Sequence, residues 1–163
     1  MIKNFIKPDT VEQAVQLAKT DSKDSKRQIA YFGNGVFLNN LHCPAQYETV
    51  ISLKNLGLNS IKKGTVHGKK GLKIGSMLTF QTIIDDHDPN IPEILKQVAK
   101  HEYSRPVRNM KTLGGDINVS TYSSHFSPVL VALSAMVELN GEDWMPFEAY
   151  NNTFQHELIT RMK

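Results

Sequence analysis

The feature that most restricts what this chain can fold into lies in residues 108–133. There the pair Gly114-Gly115 is followed by the hydroxyl residues Ser120, Thr121, Ser123 and Ser124, and then by Ser127-Pro128 and an apolar run. Adjacent glycines carry no Cβ, so the backbone can come close to another chain segment or a ligand and can take φ > 0. Such a turn can aim several N–H groups at one anion, phosphate for example, and it also serves as a plain tight turn; the residues leave both uses open. Ser127 suits a helix N-cap and Pro128 the first helical position, so the segment predicts a glycine turn, a hydroxyl-lined loop and a buried helix. A second turn of this kind, Gly33-Asn34-Gly35, closes the apolar run 29–32, and its flanking glycines tolerate left-handed φ.

The rest of the chain alternates strand and helix patterning. Phe5-Ile6 reads as a short strand, and Asp9 with Glu12 three residues on forms a capping box. Val11, Ala14, Val15 and Ala18 then recur at helical spacing, which buries one face of that helix. Residues 49–53 form a third strand-type run. The runs Ile61-Lys62-Lys63 and Leu72-Lys73-Ile74-Gly75 predict a hairpin about the Gly-Lys-Lys-Gly of residues 68–71. Thr79 opens a helix that His87-Asp88-Pro89-Asn90 ends, and Pro92 opens another with Ile91, Ile94, Leu95, Val98 and Ala99 on one face. Beyond residue 133 come a strand at 136–139, a Gly-Glu-Asp turn, and Trp144 read as a core or hinge residue.

Composition narrows the functions. With 163 residues and 40% hydrophobic content, the chain can bury one core or two small, mutually packed subdomains. Its +3 charge is spread over scattered lysines, which argues against a nucleic-acid partner. The one cysteine, Cys43, excludes an internal disulfide, and no apolar run approaches 20 residues, so a soluble cytoplasmic protein is expected, with no membrane partner. An iron–sulfur cluster takes about four thiolates, so any cluster serving this chain would sit on a partner. The six histidines show no ligand spacing and predict no metal site. No Ser-His-Asp order, paired-carboxylate motif or CxxC is present, so catalytic residues are expected to be absent and redox work to belong to a cofactor.

Two blocks carry a resemblance. Val107-Arg108-Asn109 with Thr112-Leu113-Gly114-Gly115-Asp116-Ile117, followed by Pro128-Val129-Leu130-Val131-Ala132-Leu133, resembles the flavin-binding signature of the molybdenum hydroxylases. In that signature R-N-x-A-T-[IV]-G-G-N-[IL] precedes a loop with an Asp and then P-x-L-x-A-L. Residues 32–37 stand where the family carries A-G-G-[TS]-x-L, and 157–161 is similar to its E-[LI]-[IL]-x-x-[IV] strand. The family includes the FAD-binding medium subunit of carbon monoxide dehydrogenase and the FAD domain of xanthine dehydrogenase. The resemblance implies an α+β, two-subdomain FAD-binding fold of the vanillyl-alcohol oxidase (PCMH) type. A small N-terminal α/β subdomain (1–56) would precede a larger, mainly antiparallel one (57–163), with FAD in the cleft between them. It also implies an electron-transfer subunit of a xanthine dehydrogenase-like complex. There a molybdopterin-binding subunit oxidises the substrate, an iron–sulfur subunit relays electrons, and FAD passes them to NAD or another acceptor. Because the family continues with a C-terminal subdomain, a truncated or partial chain is expected.

By the same resemblance FAD is held by Tyr31, Phe32, Gly33, Asn34, Gly35, Val36 and Phe37, by Thr112, Leu113, Gly114, Gly115 and Asp116, by Ser120 and His125, and by Ile159 near the flavin ring. Asn34 and Gly35 stand where the family has glycine and a hydroxyl residue, and His125 where an Asp helps hold the adenosine half. Asp116 replaces Asn and adds negative charge beside a pyrophosphate, which Arg108 would offset. Arg108 reads equally well as a brace on backbone carbonyls. Two other readings remain: an assembly subunit with this fold and no cofactor, and a self-contained flavin oxidase of the vanillyl-alcohol oxidase type, for which the chain is short.

Overall fold

The structure is a computed structural model and describes residues 2–22, 29–38, 47–119, 124–150 and 157–163. The first part of the chain forms a three-stranded parallel sheet of β1 (Asn4–Ile6), β2 (Ile29–Phe32) and β3 (Thr49–Ser52), in the order β1-β3-β2. Parallel strands need a crossover between them, and α1 (Val11–Ser22) carries the chain from β1 to β2, which lie on opposite sides of β3. The central strand β3 is buried at every residue, in keeping with its unbroken Thr-Val-Ile-Ser run. Ala14 and Val15 of α1 pack on Ile51 and Leu53, and the same cluster takes in Leu58, Met77 and Leu158 from the second part of the chain. The cap of α1 falls one residue beyond the expected Asp9–Glu12 box. Thr10 Oγ1 accepts from Gln13 N at 3.2 Å, and Gln13 Oε1 accepts from Asp9 N at 3.1 Å, a pairing that Thr and Gln make as well as Asp and Glu.

The second part forms a five-stranded antiparallel sheet of β4 (Ile61–Val66), β5 (Lys69–Gly75), β6 (Met136–Leu139), β7 (Asp143–Pro146) and β8 (Ile159–Met162). Its order is β4-β5-β8-β6-β7, so the last strand lies in the middle of the sheet. Five helices accompany it: α2 (Phe80–Asp85), α3 (Glu93–Lys100), α4 (Arg105–Met110), α5 (Leu113–Val119) and α6 (Ser127–Ala132). The apolar faces of α2, α3, α5 and α6 meet the sheet in one core that includes Phe80, Ile83, Leu95, Ile117, Phe126, Val137 and Met162, whereas α4 buries no residue. Phe80 and Phe126 are fully buried with ring centroids 4.9 Å apart, and each contributes about 1.5–3 kcal/mol by leaving water. The α+β architecture expected from the sequence is the one observed.

Several local expectations are corrected. The β4–β5 turn is His67-Gly68, with φ of 47° and 76°, and Lys69, Lys70 and Gly71 belong to β5. A two-residue turn with both φ positive matches the strand twist better than a four-residue Gly-Lys-Lys-Gly loop. Ile94 is 40% exposed although Ile91, Leu95, Val98 and Ala99 are buried, because α3 has only eight residues and a narrow contact stripe. Trp144 is half-buried on the edge strand β7 with Lys73 Nζ 5.3 Å above its ring; it is covered by a lysine and does not enter the core. Ser127 lies inside α6, and the residue before the helix is Phe126.

Candidate functional site

A shallow open cleft with an interior of about 70 Å³ lies where the two sheets meet. Tyr31, Gly33 and Leu53 line it from the parallel sheet, and Ser76 and Met77 from the segment that leaves β5. Thr112, Gly114, Gly115 and Asn118 form the wall at α5, and Glu157, Leu158 and Ile159 come from the entry to β8. The two glycine segments face each other here. A Cβ built on Gly33 would stand 3.4 Å from Thr112 Oγ1 and 3.5 Å from Met77 Sδ.

The Gly-Gly pair is not a φ-positive turn, because Gly114 and Gly115 sit in the first helical turn of α5. Thr112 caps this helix: its Oγ1 accepts from Gly115 N at 3.1 Å, and its carbonyl accepts from Asp116 N at 2.9 Å. Leu113 N donates to Leu78 O at 2.9 Å and Gly114 N to Ser76 O at 2.8 Å, so all four N–H groups of residues 113–116 have protein acceptors. What glycine provides is close approach, since a Cβ on Gly114 would lie 2.7 Å from Ser76 Cβ and 3.0 Å from Ser76 O. Leu113 itself is 1% exposed and belongs to the core.

Asp116 and His125 do not line the cleft. The Asp116 carboxylate is buried and accepts from Ser124 Oγ at 2.7 Å and from Phe126 N at 3.0 Å, which ties α5 to the entry of α6. Lys111 Nζ lies 3.2 Å from Asp116 Oδ1 and 3.0 Å from His125 Nδ1, and His125 Nδ1 is 3.3 Å from the same carboxylate oxygen. A charge buried with an ion partner and two further donors is a structural tie of the kind that is costly to break from one side. Arg108, on α4, is a brace: Nε donates to Gln81 Oε1 at 2.8 Å, and Nη1 to the Glu102 and Tyr103 carbonyls at 2.8 and 3.0 Å.

Of the first loop, only Tyr31 and Gly33 reach the cleft. Phe32 packs edge-on against Phe5 at 5.5 Å, Gly35 takes a φ of 79° that favours glycine, and Val36 and Phe37 are exposed at 38% and 39%. Asn34 is half-buried beside them, and Ser120 lies outside the described residues. The Tyr31 phenol is pushed up to about 12, first by burial and then by the Glu157 charge, so it stays neutral at physiological pH.

Sequence reasoning missed Leu53, Ser76, Met77, Asn118, Glu157 and Leu158 as lining residues. Two stretches left a signal: Gly75-Ser76, a glycine closing a strand next to a small hydroxyl residue, and 157–161, whose likeness to the family's strand near the flavin ring marked Ile159 and so the neighbourhood of Glu157 and Leu158. A Cβ on Gly75 would stand 2.1 Å from Leu58 O, so that glycine is required by the link between the sheets.

Residues 1–162 match the family model described as the FAD binding domain in molybdopterin dehydrogenase. The chain belongs to this family. The protein YgfM of Escherichia coli (strain K12) is 31% identical over 150 residues, covering 92% of this chain and 54% of that protein, so the chain spans about half the length of the curated relatives it matches. Among solved structures, carbon monoxide dehydrogenase from Hydrogenophaga pseudoflava superposes with a TM-score of 0.82 at 21% identity, over 99% of this chain and 58% of that one. Quinoline 2-oxidoreductase from Pseudomonas putida 86 gives 0.79 at 18%, over 99% and 58%. At these identities the two structures establish the fold.

FAD is the cofactor of this family, and the cleft fits it. Glycine positions at 33, 114 and 115 keep the walls free of side chains, and the Ser76 hydroxyl is buried with no hydrogen-bond partner among the described residues. Leu53, Met77, Leu158 and Ile159 offer apolar surface for a ring system. Among the described residues no cluster of His, Cys, Asp and Glu could hold a metal ion, and no helix is long and apolar enough to cross a membrane.

Proposed function

We propose that this chain is the flavin-carrying electron-transfer part of a cytoplasmic molybdenum hydroxylase complex of the xanthine dehydrogenase or carbon monoxide dehydrogenase kind. One observation carries the reading: both glycine segments meet at a single cleft between the two sheets, with Gly33 against Thr112 and Gly114 against Ser76. Among the described residues the ionisable side chains on that cleft are Tyr31, held neutral, and Glu157, a set without a nucleophile–base pair or a metal ligand cluster. When bound, FAD supplies the electron-transfer chemistry. The chain's own residues bind and orient it: Thr112, Ser76 and Asn118 as hydrogen-bonding groups, and Leu53, Met77, Leu158 and Ile159 as the apolar wall that keeps water from the ring.

With one cysteine the chain cannot hold an iron–sulfur cluster, so electrons would arrive from an iron–sulfur subunit fed by a molybdopterin-binding subunit and leave to NAD or another acceptor. The reading divides the chain into a small N-terminal subdomain of residues 1–56 and a larger one of residues 57–163, and the φ of 65° at Gly57 supports a turn at that point. The test is a titration with FAD read by flavin fluorescence and by thermal midpoint, with quenching and a raised midpoint expected. The absence of both responses would refute the cofactor reading. Turnover of a purine or an aldehyde by this chain alone would refute the multi-subunit one.

A further inference from the structure

We propose that Tyr150 is a positioning residue for the cofactor: its hydroxyl holds the Asn118 amide so that Nδ2 faces the cleft and donates a hydrogen bond to FAD. The proposal rests on the reading of the cleft as an FAD site. Asn118 is exposed on α5 and lines the cleft, so its side chain is open to a ligand. Tyr150 Oη donates to Asn118 Oδ1 at 3.1 Å, although the two residues lie 32 positions apart in the chain. Tyr150 is buried and does not line the cleft, so this bond draws the oxygen edge of the amide toward the core. The amide is planar with oxygen and nitrogen on opposite edges, so its NH2 group, with two protons to donate, is turned the other way. Among the described residues that nitrogen has no partner.

The phenol that sets this orientation is itself fixed. Its ring stacks on Phe147 with centroids 5.8 Å apart and 28° between the planes, and Tyr150 N donates to Phe147 O at 3.0 Å. Burial pushes the phenol up to about 12, so it keeps the proton it gives to Asn118 across the physiological range. An exposed amide without such a tie samples several rotamers, and ordering it on binding costs a ligand free energy that a side chain already held does not. The helix supports the same use. Thr112 at the cap of α5, Gly115 and Asn118 recur at three-residue spacing and all line the cleft, so they share one face. Gly115 places no side chain between the two polar ones, which leaves the amide reachable from the cleft. In the opposite flip Nδ2 would be spent on the phenol and Oδ1 would meet a ligand rich in phosphate, ribose and carbonyl oxygens. Nitrogen toward the cleft is the complementary arrangement.

The experiment measures the Kd for FAD of the parent, Tyr150→Phe, Asn118→Ala, Asn118→Asp and the Tyr150→Phe/Asn118→Ala double variant. Each titration is run well below the variant's ligand-free thermal midpoint, so that affinity is read on folded protein. Asn118→Ala should raise the Kd about tenfold, and Tyr150→Phe, which keeps the ring and its packing, about threefold. Asn118→Asp keeps the acceptor for Tyr150 but offers the ligand an oxygen in place of NH2, so it should bind more weakly than Asn118→Ala. In the Asn118→Ala background, Tyr150→Phe should leave the Kd unmoved, because the hydroxyl acts only through the amide. A purely structural Tyr150 weakens binding equally in both backgrounds, and that result overturns the proposal. Parent-like affinity in Asn118→Ala or in Tyr150→Phe also overturns it and leaves the FAD reading standing. Parent-like affinity in Asn118→Asp puts Oδ1 in the cleft and overturns it in the same way. If the parent itself binds no FAD, this proposal falls together with the reading beneath it.

Discussion

Gly114 and Gly115 are adjacent, chemically identical and in the same helical turn, yet replacing each by Ala should give different results. In a helix interior Gly→Ala gains about 1 kcal/mol from propensity alone. At Gly114 the new Cβ would lie 2.7 Å from Ser76 Cβ and 3.0 Å from Ser76 O. Carbon atoms prefer about 3.5–4.0 Å, so roughly 1 Å of separation has to come from moving α5 off the segment after β5. That segment is fixed by Ser76 N to Thr160 O and Met77 N to Leu58 O, so the strain costs about 1–3 kcal/mol. The Gly114 N to Ser76 O bond weakens with it, by about 0.5–1.5 kcal/mol. The net expectation for Gly114→Ala is a loss of about 0.5–3.5 kcal/mol. At Gly115 the Cβ would meet only Thr112 Oγ1, at 2.8 Å, and that hydroxyl can rotate away. The cap bond is then lost at about 1 kcal/mol, which offsets the propensity gain and leaves a change near zero. Urea denaturation of the ligand-free proteins, followed by circular dichroism, measures both. A Gly115→Ala protein as destabilised as Gly114→Ala, or more so, would refute the reasoning.

His125→Asp puts a second carboxylate beside buried Asp116 and should cost about 1–2 kcal/mol, most of it recovered by adding Asp116→Asn; strict additivity in the double-mutant cycle would show that the two residues are uncoupled. Arg108→Ala should lose about 1.5–3 kcal/mol with FAD affinity unchanged, and Arg108→Lys should recover little, because an ammonium cannot span Gln81 and two carbonyls. Lost FAD affinity at intact stability would instead put the guanidinium on the cofactor. Burial pushes the Tyr31 and Tyr150 phenols up to about 12 in the folded chain. The unfolded chain ionises them near 10, so their contribution is complete below that pH and is lost as pH rises toward 12. An ultraviolet titration should show both as late phenolates, and Tyr31→Phe should remove one; normal titration of both would contradict the burial.

Much of this protein was legible in its residues, because periodicity and turn chemistry are local. The run Thr49–Ser52 specified a buried strand, the Ile91, Leu95, Val98 and Ala99 spacing specified a helix face, and the two separated blocks around Gly114 and Pro128 specified the family. Placement was less secure where two local solutions have nearly equal energy. Thr10–Gln13 and Asp9–Glu12 both make a helix cap, and only the packing of α1 on β3 selects the first. What each polar group does was decided entirely by the tertiary structure. Asp116 turns to Ser124, Phe126 N and Lys111, and Arg108 closes on carbonyls. The glycine N–H groups find Ser76 O and Thr112 Oγ1, and the Ser76 hydroxyl has no partner among the described residues. Such pairings join β5 to α5, or α5 to the entry of α6, and a hydrogen bond between distant residues leaves no periodic trace in either one's neighbourhood.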